Sequence, residues 1–136
     1  MSKARILIID DDRDFTASAK ALLESDGYEI ELAHDGKQGL EKFTARPPDL
    51  VVLDIMMRHP FEGYEVNQAI KYGSAAKTAR DIPVVMVSSV PYDPTERFMW
   101  AGELDMITPD RYFVKPLDIV PFLDTVRELI EKVARK

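Results

Sequence analysis

Cysteine is absent from all 136 residues, which removes disulfides, thiolate zinc sites and cysteine nucleophiles from consideration. Long apolar runs are absent too. No stretch approaches the ~20 residues of a membrane-spanning helix, and residues 1–5 do not begin a signal peptide. A cytoplasmic protein without membrane association is therefore expected. Histidine is scarce, so no His–Cys cluster is on offer and any metal site must be built from oxygen ligands. Excess positive charge is also missing. With 18 basic against 24 acidic residues the net charge is −6, the wrong sign for direct nucleic-acid binding but suited to a cation or a basic partner. No linker, repeat or low-complexity segment divides the chain, and its prolines (Pro47, Pro48, Pro60, Pro83, Pro116) fall between apolar segments as punctuation.

What is present suits one folded domain spanning 1–136: an apolar fraction of 46% and a charged fraction of 31%. "RILII" (5–9) is too short for a helix and predicts a buried strand. From Asp12 the period lengthens, and Phe15, Ala19, Leu22 and Leu23 share one face of a helix ending near Gly27. "YEIELA" (28–33) alternates as a strand; Asp35 then caps a helix carrying Leu40 and Phe43, stopped by Pro47. Residues 50–53 form a third strand, 64–72 a helix and "IPVVMV" (82–87) a fourth strand. Pro94 suits the first turn of a fourth helix reaching about Leu104, and 112–114 make a short fifth strand. Asp118 caps the fifth helix, whose stripe is Ile119, Phe122, Leu123, Val126, Leu129, Ile130 and Val133.

Five strands alternating with five helices imply a parallel sheet covered on both faces, with right-handed crossovers. In such sheets ligands bind beyond the carboxyl ends of the strands, where the strand order reverses. The polar residues collect at that edge. Strand one ends in Asp10, Asp11 and Asp12, strand three in Asp54, strand four in Ser88 and Ser89, and strand five in Lys115. Any one of them could be a helix cap or a solvated charge; their coincidence on one edge is what those readings do not predict. Converging carboxylates repel one another, and a hard divalent cation such as Mg2+ relieves that repulsion while accepting phosphate oxygens. With a hydroxyl at Ser88 and an ammonium at Lys115, the edge can hold a phosphoryl group. Asp54 can then act as a nucleophile that forms an acyl phosphate.

Four segments, "ILIIDDD", "VVLDIMM", "PVVMVSS" and "YFVKP", resemble in order and spacing the motifs of response regulator receiver domains, over essentially the whole chain. The resemblance implies a doubly wound α/β fold of the (βα)5 flavodoxin-like type, with strand order 2-1-3-4-5. It implies phosphorylation at Asp54 by a histidine kinase or histidine phosphotransfer protein in a two-component system or phosphorelay. Asp11 would be a direct Mg2+ ligand, Asp10 would hold metal-bound water, and Asp54 and the Met56 carbonyl would complete the protein ligands. Ser88 would be the switch hydroxyl, Lys115 the phosphate-pairing lysine, Pro116 a cis proline and Tyr112 the aromatic that reorients on activation. Asp12 has no role in the family pattern and reads as a helix cap. A downstream protein would meet the face made by the fourth helix, fifth strand and fifth helix, where the apolar run Phe98 to Ala101 includes the sole tryptophan, Trp100.

The chain departs from the family pattern at "RHP" (58–60), which delays Gly63 and carries His59, read here as a surface residue. It departs again at the polar stretch "GSAAKTARD" (73–81) and at "GELDMITPD" (102–110), which stands in place of the usual Gly-Ala pair. Met56 and Val90 are apolar and cannot orient an attacking water, so a long-lived phosphoryl group is expected. After the last helix only three residues remain, so a single-domain receiver, not itself an enzyme, is the expectation.

Two rivals stand beside this reading. A haloacid-dehalogenase-type phosphatase would use Asp10 and Asp12, but it wants a further acidic pair after the lysine and leaves Asp54 unexplained. A flavodoxin-like cofactor binder wants a Ser/Thr/Gly-rich phosphate loop where this chain has three aspartates.

Overall fold

Side-chain alternation along three central strands divides the hydrophobic core into two layers. The computed structural model describes residues 4–55, 57, 62–72, 82–88 and 111–134. Their elements run β1 (Arg5–Ile9), α1 (Arg13–Ser25), β2 (Glu29–Ala33), α2 (Gly36–Ala45), β3 (Leu50–Asp54), α3 (Glu62–Tyr72), β4 (Val84–Ser88), β5 (Arg111–Val114) and a C-terminal helix (Ile119–Ala134). All strand pairs are parallel, and the five-stranded sheet has the order β2-β1-β3-β4-β5, as expected. β1, β3 and β4 are buried along their whole length, while the edge strands β2 and β5 are largely half-exposed.

Because successive side chains point to opposite faces, Leu7, Ile9, Val51, Leu53, Val84 and Met86 pack with Phe43 of α2 and with Val66 and Ile70 of α3. Their neighbours Ile6, Ile8, Leu50, Val52, Val85 and Val87 pack with Ala19 and Leu23 of α1 and with Phe122, Val126 and Leu129 of the C-terminal helix. Phe43 and Phe122 anchor the two layers, each fully buried, and truncating either to Ala should cost about 3–5 kcal/mol.

Two of the caps expected from the sequence, Asp12 and Asp35, are in place. Asp12 accepts from the amides of Asp14 and Phe15, both at 3.1 Å, and Asp35 accepts from Gln38 N at 2.7 Å. Gly27 ends the α1 turn with φ +97°, a left-handed conformation that glycine adopts without a Cβ penalty, while Tyr28 N reaches back to Leu23 O. The edge strand β2 receives the ammonium of Lys42 from α2 on its Leu32 carbonyl.

β2, β3 and β5 each differ from the sequence expectation by one residue at one end, and three other differences are larger. β4 pairs over 84–88 instead of 82–87, because Pro83 has no amide to donate; its carbonyl instead accepts from Val51 N at 3.0 Å. α3 starts at Glu62, two residues earlier than expected. Ile119 belongs to the apolar stripe by spacing but is 54% exposed, at the open start of its helix. The expected fourth helix, the three departing segments 58–60, 73–81 and 102–110 (with His59), Ser89, Val90 and the run with Trp100 lie outside the described residues. Among the described residues no helix is long and apolar enough to cross a membrane.

Candidate functional site

β1 and β3 are neighbours in the sheet but leave in opposite directions, β1 towards β2 and β3 towards β4, so the strand order reverses between them. Their register aligns Ile9 with Leu53, which brings Asp10 and Asp54 side by side at that reversal. One carboxylate oxygen from each of Asp10, Asp11 and Asp54 lies within 4.8 Å of the others. Asp10 and Asp54 are buried and Asp11 is exposed.

β5 supplies the countercharge. Its register pairs Ser88 with Val114, and Lys115 N donates to Ser88 O at 2.7 Å, which fixes Lys115 at the same edge. The Lys115 ammonium stands 2.8 Å from Asp10 Oδ2 and 3.9 Å from Asp54 Oδ2, and it also rests 4.3 Å above the Phe15 ring of α1. The 2.8 Å contact is an ion pair by distance, but its angles are not those of a hydrogen bond, so Asp10 Oδ2 is buried with a charge beside it and no aligned donor among the described residues. Asp10 Oδ1 accepts from Asp12 N at 2.9 Å. The Lys115–Pro116 peptide is cis, as expected. A cavity of about 590 Å3 between α1 and the Lys115–Leu117 segment opens beside the ammonium, with Phe15, Leu22, Leu117 and Ile119 among its walls.

Two buried carboxylates and an exposed third against one ammonium leave an excess of negative charge, and oxygen ligands suit a hard divalent cation. The residues present therefore fit such an ion: the carboxylates converge, and one buried oxygen lacks an aligned donor. Met56 lies outside the described residues, so its carbonyl is not placed.

Ser88 is 1% exposed as the last residue of β4, inside the strand and not after it. Alternation puts it on the side of Met86, and Tyr112 packs against that same layer, so the hydroxyl and the ring share a face. Asp12 is drawn away: one of its oxygens is engaged by the first turn of α1, which opposes its pairing with Asp10 as a phosphatase dyad.

The sequence did not single out Phe15 as a seat for the ammonium, nor His34, whose Nδ1 lies 3.2 Å from Asp10 O, nor Glu62, a carboxylate 7% exposed that accepts from Gly36 N at 2.5 Å. Phe15 was visible only as a core residue, and Glu62 lies before the helix start that the sequence implied.

The response regulator receiver domain family matches residues 6–127 of the chain. The response regulator MprA of Mycobacterium ulcerans (strain Agy99) is 35% identical over 128 residues, which are 94% of this chain and 50% of that protein. The chain spans about half the length of the curated relatives it matches. A CheY-like response regulator receiver domain protein from Methanospirillum hungatei JF-1 superposes with a TM-score of 0.80 at 28% identity, covering 98% of both chains. The response regulator TrrA from Thermotoga maritima, crystallised in complex with Mg(2+)-BeF, superposes with a TM-score of 0.74 at 29% identity, covering 93% of this chain and 98% of its own.

Proposed function

The chain belongs to the response regulator receiver domain family, and on that premise we propose that Asp54 accepts a phosphoryl group from a histidine kinase or histidine phosphotransfer protein. Receiver domains of response regulators are signalling domains of two-component systems, not classical enzymes. The observation that carries the assignment is the buried triangle of Asp10, Asp54 and the Lys115 ammonium, with Asp11 at its open side.

A carboxylate oxygen of Asp54 attacks the phosphorus of the phosphohistidine. The new P–O bond forms as the P–N bond breaks, and the departing imidazole nitrogen takes its electron pair and a proton from solvent. Lys115, already 3.9 Å from Asp54, pairs with the phosphoryl oxygens and offsets the charge that Asp54 gains. Asp10, Asp11 and the Met56 carbonyl would hold Mg2+ together with Asp54, as the ion bound by TrrA suggests for a relative of this fold. When bound, the ion neutralises the carboxylates and screens the incoming phosphate.

The Ser88 hydroxyl supplies the response. A phosphorylated Asp54 extends charged phosphoryl oxygens beyond the carboxylate, and because a charge-assisted hydrogen bond is stronger than a neutral one they draw the hydroxyl towards them. Tyr112, on the same layer, can occupy the vacated space. The two packings would then present different surfaces on the fifth-strand side to a downstream protein. The net charge of −6 supports a protein partner over direct contact with nucleic acid.

Acetyl phosphate with Mg2+ tests the assignment. An acid-stable, base-labile adduct at Asp54, located by mass spectrometry, is the expected result. Steady phosphate release that depends on Asp10, without an adduct at Asp54, overturns it in favour of a phosphatase.

A further inference from the structure

Beyond the phosphoacceptor itself, a closed circuit of contacts ties the ends of β1 and β3 together through α2. On one side, His34 Nδ1 lies 3.2 Å from the Asp10 carbonyl, while His34 N donates to Gln38 Oε1 at 2.7 Å. On the other, the Glu62 carboxylate, 7% exposed, takes the first amide of α2 from Gly36 at 2.5 Å, although Glu62 itself opens α3. α2 therefore has two carboxylates at its positive end: Asp35 from its own chain turn and Glu62 from a neighbouring helix. The residue after Glu62 closes the loop. Gly63 N donates to Ile55 O at 2.9 Å, and Gly63 lies so close to β3 that an added Cβ would collide with the Asp54 carbonyl and the Ile55 backbone.

We propose that Glu62 is a positioning residue for Asp54: it fastens the return of the chain after the phosphoacceptor to the start of α2, and so holds the Asp54 backbone at a fixed distance from Asp10. This inference rests on Asp54 being the phosphoacceptor. Glu62 acts through Gly63, whose contact with Asp54 tolerates no slack.

Gly36 gives an independent way to displace Glu62. A Cβ there would stand 2.8 Å from Glu62 Oε2, the far end of a flexible side chain, and 2.9 Å from Val66 Cγ2. Gly36→Ala thus dislodges the carboxylate while putting a better helix former at the start of α2. A merely structural role for Glu62 would show in the melting temperature alone. A positioning role shows in Mg2+ affinity and labelling of protein that is fully folded.

The test compares wild type, Glu62→Ala, Glu62→Gln and Gly36→Ala, each well below its melting temperature, by calorimetric Mg2+ titration and by acetyl phosphate labelling of Asp54. Glu62→Ala and Gly36→Ala should each slow labelling and weaken Mg2+ binding about tenfold, because small misplacements of a reacting group are that costly. Glu62→Gln keeps an acceptor for Gly36 N and should stay within about twofold of wild type. The inference is overturned if Gly36→Ala and any folded Glu62→Ala match a wild type that labels normally, or if Glu62→Gln loses as much as Glu62→Ala. Should Glu62→Ala not fold, Gly36→Ala decides alone. A wild type that takes no label at Asp54 overturns the phosphoacceptor reading, and this inference with it.

Discussion

At its amino end the sheet buries Arg5, and at its carboxyl end it buries Asp10 and Asp54. The Arg5 guanidinium donates to Arg46 O at 2.9 Å and Glu31 Oε1 at 3.1 Å, and its Nε lies 3.4 Å from Glu29 Oε2. Its amide donates to Asp49 Oδ2 at 2.7 Å, tying β1 to the entry of β3. There the cation is matched by carboxylates and a carbonyl supplied by the chain itself. At the opposite end three carboxylates meet one ammonium, and Asp10 Oδ2 is left without an aligned donor. A buried charge whose partners are all in the protein contributes to structure. A buried cluster left with surplus charge is completed from outside, by a cation or by an incoming group that the surplus was arranged to meet. The difference between the two ends lies in how far each set of charges is matched, and not in residue type or depth.

The sharpest way to break that contrast is Asp54→Asn. It should abolish labelling by acetyl phosphate or kinase completely, as seen by intact mass. By relieving carboxylate crowding it should also leave the melting temperature in metal-free buffer unchanged or raised by about 3 °C. A normally labelled Asp54→Asn protein would remove the carboxyl end's claim to function. Next in size is the cation. Excess EDTA should stop labelling. Asp11→Ala should weaken Mg2+ affinity about tenfold and Asp10→Ala less, because Asp10 Oδ1 is already held by Asp12 N and the Lys115 ammonium stands beside Oδ2 and competes with the ion for it. Titration calorimetry would show the order.

Arg5→Ala probes the matched end. It should lower stability by about 2 kcal/mol, a figure held down by the solvent exposure of Glu29 and Glu31, and should leave the labelling rate unchanged. A urea midpoint and a labelling time course report the two quantities separately. The smallest effect lies in alkali. Burial, with help from the Asp26 carboxylate, raises the pKa of the Tyr28 phenol, and Arg127 opposes the shift. The fold therefore favours the neutral phenol. Its contribution is present below about pH 10, where the unfolded phenol is also protonated, and is lost as pH rises and the unfolded phenol ionises first. Tyr28→Phe should flatten the alkaline fall in melting temperature without touching phosphorylation at neutral pH.

The strands and the order of elements were legible because short β-branched runs and helical stripes follow directly from which faces are buried. The carboxylate edge was legible because Asp10, Asp54, Ser88 and Lys115 each end or interrupt such a run. What escaped notice shares one cause: the contact is made across the sequence by a residue whose local context has another explanation. Thr16 is 1% exposed on α1, yet its polarity hid it from an apolar stripe, and its hydroxyl is satisfied locally by Arg13 O. Gly63 looked like a loop glycine before a helix beginning at Tyr64. It lies in the first turn of α3 because only a residue without a Cβ fits against the Asp54 carbonyl. Glu62 drew no reading, because it precedes the expected helix start and its partner Gly36 is 26 residues away. Ile119 shows the converse: its spacing fits the stripe, but its helix starts beyond the cover of the sheet.

The ammonium of Lys42 on the Leu32 carbonyl has a consequence for the company this molecule keeps. An open sheet offers its outermost strands as templates for backbone pairing by another chain, and such pairing leads to fibres and swapped dimers. At β2 an acceptor is already taken by a charged donor from the covering helix, and Glu29 and Glu31 place further charge along the same strand. A second chain attempting to extend the sheet there would have to displace an ammonium from its acceptor and set its own backbone beside two carboxylates. That contact and the two carboxylates oppose extension of the sheet at the β2 border.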